Sequence, residues 1–497
     1  MKTGAMLNAY PDSIGGTLSN AVKWLQNPAV GQVFDSFYVL PSMYKSDLDR
    51  GFSIISYDLD GSLAATDDLE TLKNMGISLK LDFVLNHAST QSAEFMDLLE
   101  KGESSRYKDF FIDWNKFWEG QGEMTEDGYI QPHSHLLEQM HFRKAGLPLL
   151  MVEMRDGTKK PYWNTFYQEE KVIDSKVCYL GQMDLNINSS LVWEFYDKVL
   201  QKLTGYGGEI IRLDAFAYAS KIPGRRNFLN EPETWELLEK VRIMADKYGL
   251  RLLPEIHAEY RAKTHEQLAE KGYVTYDFFL PGLLIHAIEK KSCDYLIKWI
   301  NEILEKNIST VNMLGCHDGI PLLDLRGLLP DEEIQSIIDI IVSRGGIVKD
   351  LSGNKATYYQ VNATYFSALD ENVSKMLLAR AIQIFMPGIP QVWYLDLIGG
   401  KNDYEAAKGT DRHKEINRTN LSLSQMNACL SEPLTLKQLE LLRFRKNSKA
   451  FGADAEIEVS GKGQTLCIEW KNNGYFAKLT ANLQDYSYAI EGDIQIS

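Results

Sequence analysis

The chain has 497 residues, of which 44% are hydrophobic and 24% charged, a composition typical of globular proteins. Its formal net charge of −15 argues against nucleic acid or an anionic membrane surface as a partner. Five cysteines without close pairs match neither a disulfide framework nor a zinc motif. Because neither an apolar signal region nor a run of about 18 apolar residues is visible, we expect a cytoplasmic protein.

Short apolar runs alternate with helical patterns along most of the chain. Two of the helical patterns are "DDLETLKNMG" and "EPETWELLEKVRIMADKYG". This alternation is typical of a parallel α/β architecture, and eight strands are the number that closes a (β/α)₈ (TIM) barrel. The predicted strand runs are 5–10, 36–41, 78–87, 209–216, 250–257, 273–280, 309–318 and 382–394.

Two long insertions and the carboxyl-terminal segment interrupt this alternation. The first insertion is rich in Trp, Tyr, Gly and charge, and the second contains the glycine-rich "SRGGIVKDLSGNK". The last segment alternates polar and apolar residues, as a small antiparallel β domain does. We therefore expect a barrel formed by 1–86, 189–318 and 371–446, an inserted domain B at 87–188, a second inserted domain B′ at 319–370, and a carboxyl-terminal β domain at 447–497.

Charged and polar residues cluster where several predicted strands end. In a (β/α)₈ barrel the active site forms at the carboxyl-terminal ends of the strands, so residues at these positions meet. Four acids, three histidines and an arginine at that end indicate a functional site. The residues are Asp82 with Asn86 and His87, Arg212 with Asp214, Glu255 with His257, and His317 with Asp318.

These residue types suit the cleavage of a glycosidic bond. Two carboxylates about 5–5.5 Å apart support a retaining displacement, in which one attacks the anomeric carbon and the other protonates the leaving oxygen. Arg212 lies two residues before Asp214 on the same strand face, where it would keep that carboxylate ionised. This explains a charge pair inside an apolar strand.

Two other interpretations use the same residues. His87, His257 and His317 could bind Zn or Mn together with the three acids, which would make a metal-dependent sugar isomerase or hydrolase. Alternatively, the barrel could bind sugars without catalysis, although such proteins usually lack one of the acids.

Four segments resemble the signature regions of the α-amylase superfamily, glycoside hydrolase family 13. They are "LDFVLNH", "RLDAFAY", "LPEIH" and "LGCHDG". Five more segments resemble the sucrose phosphorylase branch of that family: "DRGF", "YDFFLPGLLIHAI", "YYQVNATYFSAL", "MPGIPQVWY" and "EINR". The resemblance covers nearly the whole chain, and it implies a TIM barrel with inserted domains.

The resemblance also implies roles for individual residues. Asp214 corresponds to the glucosyl nucleophile, Glu255 to the general acid/base, and Asp318 to the stabiliser of the transition state. Either Arg143 or the adjacent Lys144 corresponds to a phosphate ligand, and we prefer Arg143. The other implied substrate-binding residues are Asp49, Phe52, His87, Arg212 and His317 on the glucosyl side, Phe166, Gln182, Tyr218 and His257 on the acceptor side, and Tyr359, Gln360 and Arg418 in the phosphate region.

The expected activity is that of a retaining α-glucoside phosphorylase. It would transfer glucose from sucrose or a similar α-glucoside to phosphate through a covalent glucosyl-enzyme. Phosphate is then a co-substrate, no metal or organic cofactor is required, and the sequence leaves the oligomeric state open. Alternatives are a phosphorylase of glucosylglycerol, glucosylglycerate or sucrose 6-phosphate, and a retaining α-glucosidase.

Three departures from the family pattern lie on the acceptor side. They are an insertion at 167–180, the pair Thr357-Tyr358 in place of the usual acidic residue, and an altered segment at 131–145. Loss of a hydrogen bond to a charged group changes selectivity about ten- to a hundredfold. We therefore predict that fructose is not strongly preferred and that a small polyol or another sugar competes as acceptor.

Overall fold

A computed structural model describes residues 3–173, 176–348, 360–409 and 413–495. Its centre is an eight-stranded parallel sheet that is nearly closed into a barrel, which confirms the predicted fold class. The strands are β1 Ala5–Ala9, β2 Phe34–Val39, β3 Ser78–Val84, β4 Gly208–Asp214, β5 Arg251–Pro254, β6 Thr275–Asp277, β7 Thr310–Met313 and β8 Ile389–Trp393. Their order across the sheet is β5-β4-β3-β2-β1-β8-β7-β6.

Helices connect and cover the strands, as expected for a parallel sheet. The first helix buries one apolar face, which includes Leu18, Val22 and Leu25, whereas the helices Leu280–Lys290 and Val373–Phe385 are buried on nearly all sides. The helices of the barrel are Leu18–Leu25, Thr66–Asn74, Ser190–Gly205, Glu233–Asp246, Thr264–Glu270, Leu280–Lys290, Asp294–Glu305, Val373–Phe385, Tyr394–Leu397, Leu423–Cys429 and Pro433–Asn447.

One predicted strand was partly wrong. Residues 382–385 of the run 382–394 are the last turn of the helix Val373–Phe385, and β8 begins only at Ile389. The apolar run continues across the boundary because both the helix end and the strand are buried. Pro387 restricts the preceding residue, Met386, to an extended conformation, and Gly388 has φ 101°. The helix therefore ends at Phe385.

The first insertion contains three small sheets and a hydrophobic core of its own. That core comprises Ile112, Trp114, Trp118, Ile130, Met140 and Trp163. The hydrogen-bonded strands are Gln168–Ile173, Lys176–Asp184 and His87–Ser89 in one sheet, Leu149–Glu153 with Lys159–Trp163, and Gly122–Met124 with Ile130–Pro132. Its helices are Ala93–Lys101, Trp114–Phe117 and Ser134–Leu137.

The second insertion holds the helix Asp331–Ser343 and three short strands, Ile320–Pro321, Ile347–Val348 and Gln360–Asn362, followed by the helix Tyr365–Ala368. Tyr359 and the pair Thr357-Tyr358 lie outside the described residues. Two more strands, Tyr44–Ser46 and Ile54–Leu59, pair after β2.

The carboxyl-terminal domain is a four-stranded antiparallel sheet, as the alternating sequence predicted. Its strands are β9 Glu456–Lys462, β10 Thr465–Asn472, β11 Tyr475–Asn482 and β12 Tyr488–Gly492. Within the described ranges, none of the helices has the length and apolar character needed to cross a membrane.

Candidate active site

The barrel brings the predicted carboxylates together at the carboxyl-terminal ends of its strands. Asp214 is the last residue of β4, Glu255 directly follows β5, and Asp318 lies in the loop after β7. β4 and β5 are parallel neighbours with Leu213 opposite Pro254, so the first two acids lie side by side. The guanidinium of Arg212 contacts both, with Nη1 2.8 Å from Asp214 Oδ1 and Nη2 3.0 Å from Glu255 Oε1.

A third carboxylate shares the same guanidinium. Arg212 Nη1 lies 2.6 Å from Asp82 Oδ1, and the hydroxyl of Tyr38 donates a hydrogen bond of 3.1 Å to that oxygen. The arginine side chain is only 3% exposed, so an unpaired charge at this position would be costly. Three carboxylates therefore account for the arginine inside an apolar strand.

The two neighbouring carboxyls titrate as a pair. Burial raises the pKa of Asp214 to about 8, with Arg212 opposing the rise and Glu255 adding to it. The prediction that Arg212 keeps this carboxylate ionised was therefore wrong for the free site, because the effect of burial exceeds that of the guanidinium. Burial also favours the neutral form of Glu255, but Arg212 and His257 outweigh it and lower the pKa of Glu255 to about 2. Near neutral pH the pair therefore holds one proton.

His257 links the general-acid candidate to a second buried acid. Its Nε2 lies 3.6 Å from Glu255 Oε1 and its Nδ1 lies 3.2 Å from Asp324 Oδ2. The ring stacks on Phe278 with the centroids 3.8 Å apart. Burial opposes the charged form, yet Asp324 and Glu255 together raise the pKa of His257 to about 9. The imidazolium is consequently charged at neutral pH.

The residues implied for the glucosyl side form a compact wall. Phe52 stacks on His317 with centroids 5.5 Å apart, and its carbonyl lies 3.0 Å from His87 Nε2. Burial lowers the pKa of His87 to about 4 and that of His317 to about 3, so both rings are neutral hydrogen-bonding groups. Gly51 has φ 109°, and a Cβ there would lie 2.2 Å from Ser42 N, which explains the glycine in "DRGF".

Asp49 joins this wall to the inserted domain. It adopts a left-handed φ of 52° and hydrogen-bonds with Gln182. Burial raises the pKa of Asp49, although Lys414 and Arg418 oppose the rise. Gln182 also accepts a 3.0 Å hydrogen bond from the backbone of Tyr167, so the inserted loop is connected through Gln182 to Asp49.

Aromatic residues from two segments line the acceptor side. The ring of Phe166 lies 5.0 Å from Tyr218 and 5.4 Å from His87. The guanidinium of Arg143 lies 5.7 Å from the first of these rings and 5.9 Å from the second, and hydrogen-bonds with Tyr218. The structure therefore brings these four predicted residues together.

Arg143 and Lys144 have different surroundings. Lys144 Nζ donates to Asn164 Oδ1 and, at 2.9 Å, to Gln168 Oε1. Burial lowers the pKa of Lys144 to about 8, despite the opposing effect of Asp184. Of the two cations, Arg143 is the one that contacts the aromatic acceptor wall.

Two cations surround Asp318. Lys414 Nζ lies 2.5 Å from Asp318 Oδ1, and Arg418 Nη2 lies 3.6 Å from the same oxygen. Burial opposes ionisation, but His317, Lys414 and Arg418 hold the pKa of Asp318 well below its usual range. Gln360 lies opposite Pro321 in the small sheet that follows this loop, and the phosphate candidate Tyr359 lies outside the described residues.

The sequence did not single out Lys414 or Asp324. Lys414 directly precedes the quoted "EINR", so a search one residue upstream would have found it. Asp324 lies in the short 3₁₀ helix Leu323–Leu325 of the second insertion, and the sequence carries no signal that it contacts His257.

The geometry does not favour the metal interpretation. Among the described residues, the acid and histidine atoms close enough to hold one ion belong to His265, Glu266 and Glu302, none of which lies in this site. At that second cluster the ammonium groups of Lys263 and Lys306 already lie 2.7 Å from Glu266 Oε1. The cluster is thus explained as an ion-pair network.

A (β/α)₈ barrel with paired carboxylates on one arginine is an arrangement that suits an enzyme acting on glycosidic bonds. The family model of the α-amylase catalytic domain matches residues 34–318. The chain is 52% identical over 497 residues to the sucrose 6(F)-phosphate phosphorylase of Ilumatobacter coccineus, covering 98% of this chain and 95% of the relative.

Two further similarities agree with this match. The sucrose phosphorylase of Streptococcus mutans is 35% identical, over 99% of this chain and 98% of the relative. The crystal structure of sucrose 6F-phosphate phosphorylase from Thermoanaerobacter thermosaccharolyticum superimposes with a TM-score of 0.90 at 33% identity, covering 100% of this chain and 96% of that one. The chain belongs to the α-amylase family and, within it, to the sucrose phosphorylase branch.

Proposed function

We propose that the protein is a retaining α-glucoside phosphorylase that transfers glucose from a sucrose-like donor to phosphate. The observation that carries the proposal is the placement of Asp214 and Glu255 on one guanidinium, that of Arg212. Asp214 attacks the anomeric carbon, Glu255 protonates the leaving oxygen, and Asp318 stabilises the positive charge that develops on the sugar. Phosphate then attacks the glucosyl-enzyme.

The first step requires the shared proton to be on Glu255. A glycosidic oxygen next to Glu255 offers that proton an acceptor, and positive charge developing at the anomeric carbon stabilises ionised Asp214. Both effects favour transfer of the proton within the pair when substrate binds. His257 and Arg212 contribute fixed positive charge, which offsets the cost of several acids in one buried site.

We propose that the reaction uses inorganic phosphate as co-substrate and needs no metal or organic cofactor. The cationic groups of Lys414 and Arg418 beside Asp318, together with Arg143 on the acceptor side, support this assignment. Incubation with a chelator should leave the phosphorolysis rate unchanged, whereas loss of activity restored by a divalent ion would contradict it.

For the acceptor, we propose a fructose that carries a phosphoryl group. Support comes from the relative that is 52% identical and is named for sucrose 6(F)-phosphate. Lys144 also supports it: within the described ranges this cation has neutral amide partners and no ion pair with a carboxylate. We also propose a cytoplasmic location, with which five free thiols are consistent.

The test is a pair of assays on the wild-type protein. With sucrose or sucrose 6-phosphate as donor, added phosphate should increase turnover and yield α-glucose 1-phosphate; glucose release indifferent to phosphate would identify an α-glucosidase. In the reverse direction, phosphate release from α-glucose 1-phosphate is compared with fructose 6-phosphate, fructose, glycerol and glycerate as acceptors. A kcat/KM for fructose more than about a hundredfold above all others would exclude the phosphorylated acceptor.

A further inference from the structure

We propose that Lys414 is a phosphate-binding residue that directs the glucosyl-enzyme toward phosphate and away from water. This inference rests on the proposed phosphorylase activity and assigns a specific residue to its second step. Lys414 belongs to the short 3₁₀ helix His413–Asn417, in the loop that follows the last barrel strand.

Lys414 lies at the edge of the catalytic carboxylates. Its ammonium donates to Asp318 Oδ1 at 2.5 Å, and this is its hydrogen-bond partner among the described residues. The ammonium also interacts electrostatically with Asp49 of the glucosyl wall and with Tyr167 of the inserted loop, and both interactions favour its charged form. The side chain is 30% exposed, so an ammonium with three donors lies beside a catalytic acid without being fully enclosed by protein.

Arg418, one of the two arginines implied to bind phosphate, is less accessible. Its side chain is only 4% exposed, and its Nε donates to the carbonyl of His317 at 2.7 Å. Its Nη1 and Nη2 lie 3.6 Å from carboxylate oxygens of Glu415 and Asp318. Each guanidinium nitrogen of Arg418 therefore already faces a partner, whereas Lys414 can turn on its flexible stem toward an incoming anion.

The charge balance of the second step requires such a group. Phosphate enters a site where Asp49, Glu255 and Asp318 lie close together and repel a dianion. When sugar hydroxyls take up hydrogen bonds of Asp318, the ammonium of Lys414 can share its donors with phosphate. A phosphate oxygen then bonds to the anomeric carbon as the bond to Asp214 breaks, and the phosphate proton passes to the Glu255 carboxylate. The products are α-glucose 1-phosphate and the starting enzyme.

The contrasting possibility is that Lys414 only screens Asp318. In that case its removal would impair formation of the glucosyl-enzyme and its breakdown by phosphate and by water to the same degree. Removal of a phosphate ligand, by contrast, impairs the reaction with phosphate more strongly than the reaction with water. The ratio in which the glucosyl-enzyme reacts with phosphate and with water therefore distinguishes phosphate binding by Lys414 from mere screening of Asp318.

The experiment uses α-glucosyl fluoride as donor and measures glucose and α-glucose 1-phosphate over a range of phosphate concentrations. We expect Lys414→Met to lower kcat/KM for phosphate at least about tenfold more than it lowers the rate of hydrolysis, because loss of its contact with Asp318 affects both reactions alike. Lys414→Arg should restore much of the phosphate preference. Lys408→Met is the matched control, because Lys408 is 70% exposed in the same loop region and pairs with Glu405.

Equal losses with phosphate and water, or an unchanged product ratio, would overturn the assignment. If Lys414→Met loses all turnover, calorimetric titration with inorganic phosphate gives the same information: weaker binding supports the role, and unchanged binding refutes it. Failure of the proposed phosphorylase activity would be distinguishable from failure of the Lys414 assignment, because the turnover of the wild-type enzyme would then not depend on phosphate concentration.

Discussion

One guanidinium organises the acids of this site. Arg212 is shared by Asp82, Asp214 and Glu255, so its charge offsets part of the repulsion among the three. Only one acid of the catalytic pair holds a proton near neutral pH, as a retaining mechanism requires. The arginine is thus essential to the charge state of the pair as well as to its geometry.

Substitution of the two catalytic carboxylates should have different consequences. We expect Asp214→Asn to reduce kcat at least about 10³-fold on every donor, because the covalent intermediate can no longer form. Glu255→Gln should lose about 10²–10⁴-fold on sucrose but much less on α-glucosyl fluoride, whose leaving group needs no proton. Rates on both donors measure this difference; equal loss on both for Glu255→Gln, or a labelled glucosyl adduct on Glu255, would contradict the roles.

The raised pKa of His257 leads to a prediction about alkaline pH. A group whose pKa is higher in the folded than in the unfolded protein stabilises the fold fully below its unfolded value, here about 6.5. That stabilisation is lost as pH rises through the folded value of about 9. We expect NMR titration of the His257 ring to give a midpoint near 9, and Asp324→Asn to lower it. A midpoint below 7 would show that Asp324 does not hold the charge.

Residues at or shortly after strand ends could be predicted from the pattern, whereas two residues that reach the site from more distant loops were missed. Asp214 and Glu255 follow apolar runs directly, and a parallel barrel places all such ends together. Lys414 adjoins the quoted "EINR", but its contact with Asp318, like that of Asp324 with His257, depends on packing between distant loops that no local pattern encodes. Roles carried by the resemblance alone, such as that of Tyr359, stay predictions.

Among the elements, β8 shows where a sequence pattern fails. The run 382–394 is apolar throughout, so neither period nor length separates the end of a buried helix from a buried strand. The other seven strands were predicted because polar or glycine-containing segments bound their runs. In six of these cases the strand is shorter than the run, and in β5 and β7 the chain leaves the sheet before the site residues Glu255 and Asp318. The strand β2 is as long as its run but begins two residues earlier.

The hairpin made by Gln168–Ile173 and Lys176–Asp184 gives a prediction about acceptor selection. We call the end of the two strands that contains Gln168 and Gln182 the base of the hairpin; there, the side chain of Gln168 accepts a hydrogen bond from Lys144. Val172, near the other end, is 74% exposed. At about 3.3 Å per residue, Val172 lies more than about 10 Å along the strand from the base. We therefore expect the base of the hairpin, and not the end that carries Val172, to influence which acceptor the enzyme prefers.

Two matched variants test this. Gln168→Ala should change the kcat/KM ratio between fructose 6-phosphate and fructose at least about fivefold. Replacement of residues 172–177 by Asn-Gly, which closes the hairpin between Lys171 and Cys178, should leave the ratio within about twofold. If the shortened hairpin changed this ratio more than Gln168→Ala did, the residues that select the acceptor would lie at the end that carries Val172.

The carboxyl-terminal domain is joined to the barrel through buried polar contacts as well as apolar ones. The Nε1 of Trp470 donates a 2.8 Å hydrogen bond to the carbonyl of Phe385, at the end of a barrel helix. Arg445 lies between the two parts, with its guanidinium 4.7 Å from the Trp470 ring. The alternating sequence predicted this domain, but it gave no indication of which face meets the barrel.

Arg445 holds three segments of the chain together. It donates to the carbonyls of Thr3 at 3.0 Å, Ile384 at 2.8 Å and Gly388 at 2.8 Å. Burial lowers the pKa of this guanidinium to about 9, and no carboxylate in the described part of the chain forms an ion pair with it. Its favourable interactions are therefore these three carbonyls and the aromatic rings beside it.

We expect Arg445→Met to lower the free energy of unfolding by about 3 kcal/mol. Three buried carbonyls lose their donor, at about 1–3 kcal/mol each, while removal of a buried cation recovers part of that cost. Lys437→Met is the control, since Lys437 is exposed on the same helix, Pro433–Asn447. Urea unfolding at pH 7 measures the free energy of unfolding of both variants. Proteolytic cleavage after residue 447 should be faster than in the wild type for Arg445→Met but not for Lys437→Met. A loss below about 1 kcal/mol would mean that the apolar contacts suffice to hold the carboxyl-terminal sheet on the barrel.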